Sequence, residues 1–421
     1  MIEFMDFWAT WLKPSAGLPT VQWSLLLAAA TVTGYLLHRY TGLPKVVGYS
    51  MLGTAAGFSG FSGAAWPLQG IGLFLLELGV SVVLFEAGGR IPLRWFRHNP
   101  MVLVQSVAES ALTYFSVFYV MDALGLNEAV AHPLALVAMA ASPAVLSRVI
   151  HDTRAAGPVT ERALMLSTLS TLYALTLGAA HAGLMERPPL DLLETTYPVV
   201  VVLGLSLVVG GLLALLMRSA LRVMSPTSEN TSMLLLALIA AGAAVAAHFG
   251  GSAPLAALVG GMLLKQLTPR PWAWPRQLGT ASSLLTMLMF VLVSIMAAQA
   301  DWSTLVASLV LALVGARALA KVFGVALGNA GSGASWKQAM WVGCAMAPMS
   351  AVALLITSQF AAAAPALGLE ISAVALPSIL LMEVLGAVIA SVAIYRAGES
   401  SKPWSPRPPV PLAPNTGEAR D

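Results

Sequence analysis

Between Val21 and Arg396 the chain is a succession of apolar runs joined by short polar links. Most runs are close to the roughly 20 residues that an α-helix needs to cross bilayer hydrocarbon. Inside hydrocarbon every backbone N–H and C=O must be satisfied within the protein, so only helices and closed barrels can span it. Apolar runs of this length predict helices. They fall at 21–38, 44–61, 68–89, 100–123, 132–150, 160–184, 194–217, 230–249, 252–267, 279–299, 303–328, 336–360 and 370–396, and the ninth is short. Only 10% of residues are charged and 58% are hydrophobic. A soluble domain carries about 25% charged residues, so this chain has too few to cover a water-facing surface. The expected fold class is an all-α polytopic membrane protein with about 13 transmembrane helices.

The basic residues test that count. With the N-terminus outside, 18 of the 22 Lys and Arg fall in cytoplasmic loops or the C-terminal tail. Only Lys13 and Arg187 fall outside, and Arg317 and Lys321 lie within the eleventh run. One missed helix would invert every later loop and destroy this bias. The opening MIEFMDFWATWLKPSAG has no basic segment before an apolar core. Residues 1–20 therefore read as an interfacial lead-in rather than a cleaved signal peptide. Residues 397–421 are Pro-rich and read as a disordered cytoplasmic tail. The net charge of +3 gives no reason to expect nucleic acid as a partner. The lone Cys344 rules out an intramolecular disulfide and a cysteine-rich metal site. No metal or cofactor is expected, and the chain does not read as an enzyme.

Proline interrupts two of the runs. The fifth contains VAMAASPAVLSRVIHD, and the twelfth reads MWVGCAMAPMSAVALLITSQF. Proline removes a backbone donor and clashes with the preceding turn, so Ser142-Pro143 and Ala347-Pro348 each break a helix inside the membrane. Proline is common in transmembrane helices and one kink means little; the weight lies in the pair. The breaks are seven runs apart, which fits two six-helix repeats joined by a seventh helix, the second repeat upside down. Paired interrupted helices at matching positions of inverted repeats point to a transporter's binding site, with freed carbonyls and half-helix ends facing a substrate. Ser142, Pro143, Pro348 and Ser350 are candidates on that ground.

Charges within spans are costly and mark functional sites by default. Glu77 and Glu86 lie in the third run, Glu109 in the fourth and Glu383 in the thirteenth. Glu86 precedes Arg90 closely enough for an interfacial ion pair, and Glu77 fits a subunit contact. Arg317 and Lys321 are four apart and share a helix face. Under the repeat, Glu109, Glu383, Arg317 and Lys321 fall in the bundle that holds the crossed helices, either as coupling groups or as a structural salt bridge.

Several stretches resemble the monovalent cation–proton antiporters, particularly their bacterial cation:proton antiporter-2 branch. They are TGLPKVVGYSMLGTAAG, LLELGVSVVLFEAGGRIPLRWFRHN, HFGGSAPLAALVGGMLLKQ, MFVLVSIMA and ALAKVFGVALG, in that order. The likeness runs from about residue 21 to 396. It implies a bacterial-type inner membrane and a homodimer. Helices 1–3 and 8–10 would form the dimerisation panel, and helices 4–6 and 11–13 a core domain that moves against it. It implies an acidic ion site in the sixth helix, with Lys321 as its partner. Here the chain departs from the family, because that position falls around Ser170, Thr171 and Leu172 and holds no carboxylate. Ser and Thr hydroxyls can ligate a cation, but they do not exchange protons near neutral pH.

Three readings follow. In the first, the chain exchanges Na⁺ or K⁺ for H⁺ by alternating access, with Glu383 or Glu109 standing in for the missing acid opposite Lys321. In the second it is a non-transporting or regulatory membrane protein on the same fold. In the third, Arg317 and Lys321 serve an anion or organic solute carrier.

Overall fold

A computed structural model describes residues 18–61, 70–91, 93, 96, 99–186, 191–225, 228–268, 276–300, 302–349 and 351–400. Ser350, residues 1–17 of the lead-in and 401–421 of the tail lie outside the described residues.

Each of the thirteen expected runs carries helix. In chain order these are α1 (Leu18–Thr41), α2 (Lys45–Phe58), α3 (Gly70–Gly89), α4 (Pro100–Ala123), α5 (Glu128–Met139), α6 (Pro143–Thr153), α7 (Pro158–Glu186), α8 (Leu192–Val223), α9 (Glu229–His248), α10 (Ala253–Leu267), α11 (Arg276–Ala298), α12 (Thr304–Leu327), α13 (Trp336–Ala345), α14 (Ala351–Ala363) and α15 (Pro365–Arg396). The fifth run supplies α5 and α6, and the twelfth supplies α13 and α14. Seven spans among the described residues are long and apolar enough to cross a membrane, counting α5 and α6 as one. Polar residues set the helix starts. Asn127, Ser228 and Ser303 cap α5, α9 and α12 through their side chains. Ser335 and Gln338 form a reciprocal capping box on α13.

Helices inside a bilayer gain little from hiding apolar surface from one another, so close packing at small residues holds them together. On α2, a Cβ added at Gly53 would lie 2.6 Å from the Val291 carbonyl of α11, and one at Gly57 would lie 2.7 Å from the Ala298 Cβ. These glycines let the two backbones touch. Helices α3 and α10 form another tight pair, as do α4 and α12. The outer face of α8 carries exposed Val200, Leu207, Val208, Leu212 and Leu216, as a lipid-facing helix should.

Helix α15 packs against α2, α5, α6 and α11–α14 and so stands at the centre of the bundle. The chain just beyond it is not the disordered tail expected from residue 397. The Glu399 carboxylate accepts the free N–H groups of Val159 (2.8 Å) and Thr160 (2.7 Å) at the start of α7. Ala156 N–H donates to the Glu399 carbonyl at 3.1 Å. An acid at a helix N-terminus satisfies orphan donors and favours the dipole.

Candidate functional site

The two interruptions are local and clean. Helix α5 ends at Met139 and α6 begins at Pro143, leaving residues 140–142 extended. Pro143 sits in the first turn of α6, where a missing N–H costs nothing. Ser142 caps that turn, its Oγ accepting from Val145 N–H at 3.3 Å, so this hydroxyl serves the helix end. In the second break, α13 ends at Ala345 and residues 346–349 are non-helical before α14. Helix α15 crosses close over it: a Cβ at Gly386 would lie 2.7 Å from Pro348 Cα.

A single guanidinium joins the two breaks. Arg317 of α12 is fully buried. Its Nε donates to Ala138 O (2.8 Å) and its Nη2 to Ala140 O (2.9 Å), both at the first break. Its Nη1 donates to Ala347 O (2.5 Å), with Pro348 O 3.3 Å from Nη2, at the second. A guanidinium carries five N–H donors in a rigid fork and no acceptor, which suits converging carbonyls. The C-terminal ends of α5 and α13 carry partial negative charge, and a fixed cation offsets both. The carbonyls expected to face a substrate therefore face Arg317.

One turn along α12, Lys321 is also fully buried. Its ammonium pairs with Glu109 Oε1 of α4 and reaches Met139 O (3.0 Å) and Ser170 Oγ (3.1 Å). Three partners use all three ammonium donors. Glu109 is equally enclosed. Its Oε2 lies 3.0 Å from Ser170 Oγ and 3.2 Å from Ser110 Oγ, and its Oε1 lies 3.2 Å from Thr113 Oγ1. Ser170 Oγ is also 3.1 Å from Met139 O, so its one proton serves one acceptor at a time. The Thr171 hydroxyl donates to Ala141 O at 2.9 Å. The Ser-Thr pair on α7 thus lies against the first break, and the carboxylate beside it comes from α4. Two glycines bring α4 and α12 together: Gly324 lies against the Glu109 backbone, and a Cβ at Gly328 would lie 2.7 Å from Gln105 Cα.

Glu383 does not meet Lys321. It is fully buried on α15 and faces Ser294 of α11, whose hydroxyl donates to its Oε2 at 3.3 Å. Its Oε1 has no hydrogen-bond partner. Of the two acids that sequence left open as partners of Lys321, the structure places Glu109 there and Glu383 at a separate seam. Glu86 forms the expected ion pair with Arg90 at 2.7 Å.

Two cavities flank the first break. One, of about 630 Å³, is lined by Ser110, Tyr114, Leu136, Met139, Tyr173, Thr176 and His181, and so reaches residues that touch Glu109 and Lys321. The other, of about 580 Å³, is lined by Glu86, Arg90, Pro143, Ser147, Arg148, His151 and Ser282. Met139 and Pro143 stand on either side of the interruption, so the cavities approach it from opposite ends of one span.

Comparison with known proteins accords with this architecture. No curated protein matches the chain significantly. Among solved structures, the sodium proton antiporter MjNhaP1 from Methanocaldococcus jannaschii at pH 8 superposes with a TM-score of 0.68 at 17% identity, covering 90% of this chain and 98% of that one. An electron-microscopy structure of the same antiporter gives 0.72 at 16% identity, covering 92% and 100%. At such identities the likeness establishes the fold, and the expected all-helical polytopic class is borne out. The family model for the sodium/hydrogen exchanger transmembrane domain matches residues 26–395, nearly the whole helical bundle, and the chain belongs to that family.

Proposed function

We propose that the chain exchanges a monovalent cation, Na⁺ or K⁺, for a proton across a bilayer, with Glu109 and Lys321 as the exchanging pair. One observation carries this reading: a buried carboxylate–ammonium pair stands among oxygen ligands at the end of α5, beside a cavity. The pair is neutral. A cation arriving at Glu109 would find further oxygens on Ser110, Ser170 and Met139. If Lys321 kept its proton, the site would then hold a net positive charge in a poorly polarisable medium, which is expensive. Entry of the cation therefore favours loss of the ammonium proton, and reprotonation of Lys321 expels the cation. Arg317 stays charged throughout, because a guanidinium does not deprotonate in proteins, and it holds the two breaks in register.

Sodium and proton antiport is what MjNhaP1 is named for, and the family bears the same description; both support the reading. Alternating access would move a core of α4–α7 and α12–α15 against a dimer panel of α1–α3 and α9–α11. In this view the protein is a homodimer in a bacterial-type inner membrane, with its N-terminus outside and its C-terminus cytoplasmic. An anion carrier fits less well. Lys321 is paired with Glu109 and the Arg317 donors are directed at carbonyls, so the crossing keeps no unspent cationic donor with which to bind an anion.

The test is reconstitution in liposomes with internal pH followed on addition of Na⁺ or K⁺. A cation-dependent pH change that Glu109→Gln abolishes is expected. No such change over a wide pH range would leave a non-transporting protein on the antiporter fold. Exchange that survives Glu109→Gln would move the site elsewhere.

A further inference from the structure

Glu383 has no role in the exchange just described, yet it is as deeply buried as Glu109. We propose that Glu383, with Ser294 and Ser50, is a second proton-binding site, loaded while the seam between α15 and the α2–α11 pair is closed and emptied when that seam opens. The inference rests on the antiport reading for its place in the cycle, but not for the proton itself.

Complete burial without a counter-ion among the described residues fits a neutral acid better than a carboxylate. Ser294 Oγ donates to one oxygen of Glu383. The other, Oε1, is enclosed and unpartnered. Ser50 of α2 borders the same carboxyl, and its Oγ is also enclosed and unpartnered. A serine hydroxyl can donate to a carboxylate or accept from a carboxylic acid, so Ser50 can serve either form of Glu383. A bare charge here would have two serine hydroxyls at most and no counter-ion among the described residues, and buried charges persist only when paired and hydrogen-bonded.

The buried charged groups on the helices around α15, and the titratable groups beside them, are engaged elsewhere. Arg317 is spent on carbonyls and Lys321 on Glu109. Tyr49 of α2 lies with Arg148 and Asp152 of α6, and His151 sits 3.7 Å from Asp152. His132 of α5 bonds Tyr114 at 2.6 Å. Among the described residues, none of these forms an ion pair or a hydrogen bond with Glu383.

The position also suits a moving proton. Met382, the residue before Glu383, touches Arg317 through its sulfur at 3.5 Å, so α15 is tied to the crossing. Ser50 and Ser294 belong to α2 and α11, which pack on each other through Gly53 and Gly57. Sliding one group against the other would part the carboxyl from both hydroxyls and admit water, where it would ionise. With release to one face and reprotonation from the other, each cycle would then carry one proton more than the Glu109–Lys321 pair alone accounts for.

Two measurements test this on the full-length chain. Infrared spectroscopy of the purified protein should show the C=O stretch of a protonated carboxylic acid. Glu383→Gln should remove that band, Glu109→Gln should leave it, and Ser294→Ala should move it to higher frequency by removing the donor at Oε2. In liposomes, the reversal potential of Glu383→Gln should report one proton fewer per cation than wild type. A band untouched by Glu383→Gln, or an unchanged proton-to-cation ratio, overturns the proposal. Should wild type show no exchange at all, the antiport reading fails, and the infrared band still decides whether Glu383 holds a proton. If Glu383→Gln does not fold, the Ser294→Ala shift gives the answer in an otherwise intact chain.

Discussion

Among the described residues, Glu109 and Lys321 form an ion pair only with each other, and Arg317, the other buried cation, is committed to backbone carbonyls. Removing one partner of a buried pair strands the other, at a cost of about 3–5 kcal/mol. Lys321→Met should therefore lower the thermal unfolding midpoint in detergent sharply. The double variant Glu109→Gln with Lys321→Met should be much closer to wild type than the sum of the singles, since residues in contact couple by about 0.5–3 kcal/mol. Strict additivity in that cycle would mean the pair does not organise the site. Arg317 supports a second prediction. A lysine offers three donors on a flexible stem where the guanidinium faces four carbonyls. Arg317→Lys leaves at least one buried carbonyl without a partner, a loss of about 1–3 kcal/mol, and lowers the unfolding midpoint even though charge is kept. The sequence made the members of this cluster visible, because charges and a Ser-Thr pair inside apolar runs are conspicuous. It did not show which acid meets Lys321. That contact joins residues 212 apart in the chain, and whether it forms depends on how closely α4 approaches α12.

At the scale of helices, the approach of α4 to α12 rests on glycine. Gly324 and Gly328 leave no room for side chains against Glu109 and Gln105, whereas Gly315 on the same helix has open space around it. Gly328→Leu should wedge the two helices apart at an overpacking cost of about 1–3 kcal/mol. It should also draw Lys321 off Glu109 and so cut cation-dependent proton flux. Gly315→Ala should leave flux unchanged and hold or slightly raise the unfolding midpoint, because alanine is the better helix former by about 1 kcal/mol. Equal effects at both positions would show that the close contact is not what sets the pair. Helix positions and the two breaks could be read from the sequence because run length, caps and proline act locally. What the freed carbonyls bind could not, since Arg317 lies in a different helix from either break. The docking of Glu399 on α7 was hidden for the same reason: an acid in a Pro-rich tail looks solvated until a helix N-terminus is placed beside it.

For the molecule as a whole, the two cavities on opposite sides of the first break make a geometric claim that labelling can decide. Ser147 lines the cavity that reaches Pro143, and His181 lines the one that reaches Met139. Because the chain has one cysteine, Cys344, Cys344→Ser gives a clean background for single substitutions. In oriented vesicles, a membrane-impermeant maleimide should modify Ser147→Cys from one face and His181→Cys from the other. Alternating access adds a stronger expectation. A population shifted toward one opening must be shifted away from the other. A saturating cation should therefore speed labelling at one position and slow it at the other, by related factors. The same cation should do neither in the Glu109→Gln background, where the ligand that senses it is gone. Labelling of both positions from one face would place both cavities on the same side of the barrier. Rates that rise together would indicate general loosening rather than a core that rocks between two openings.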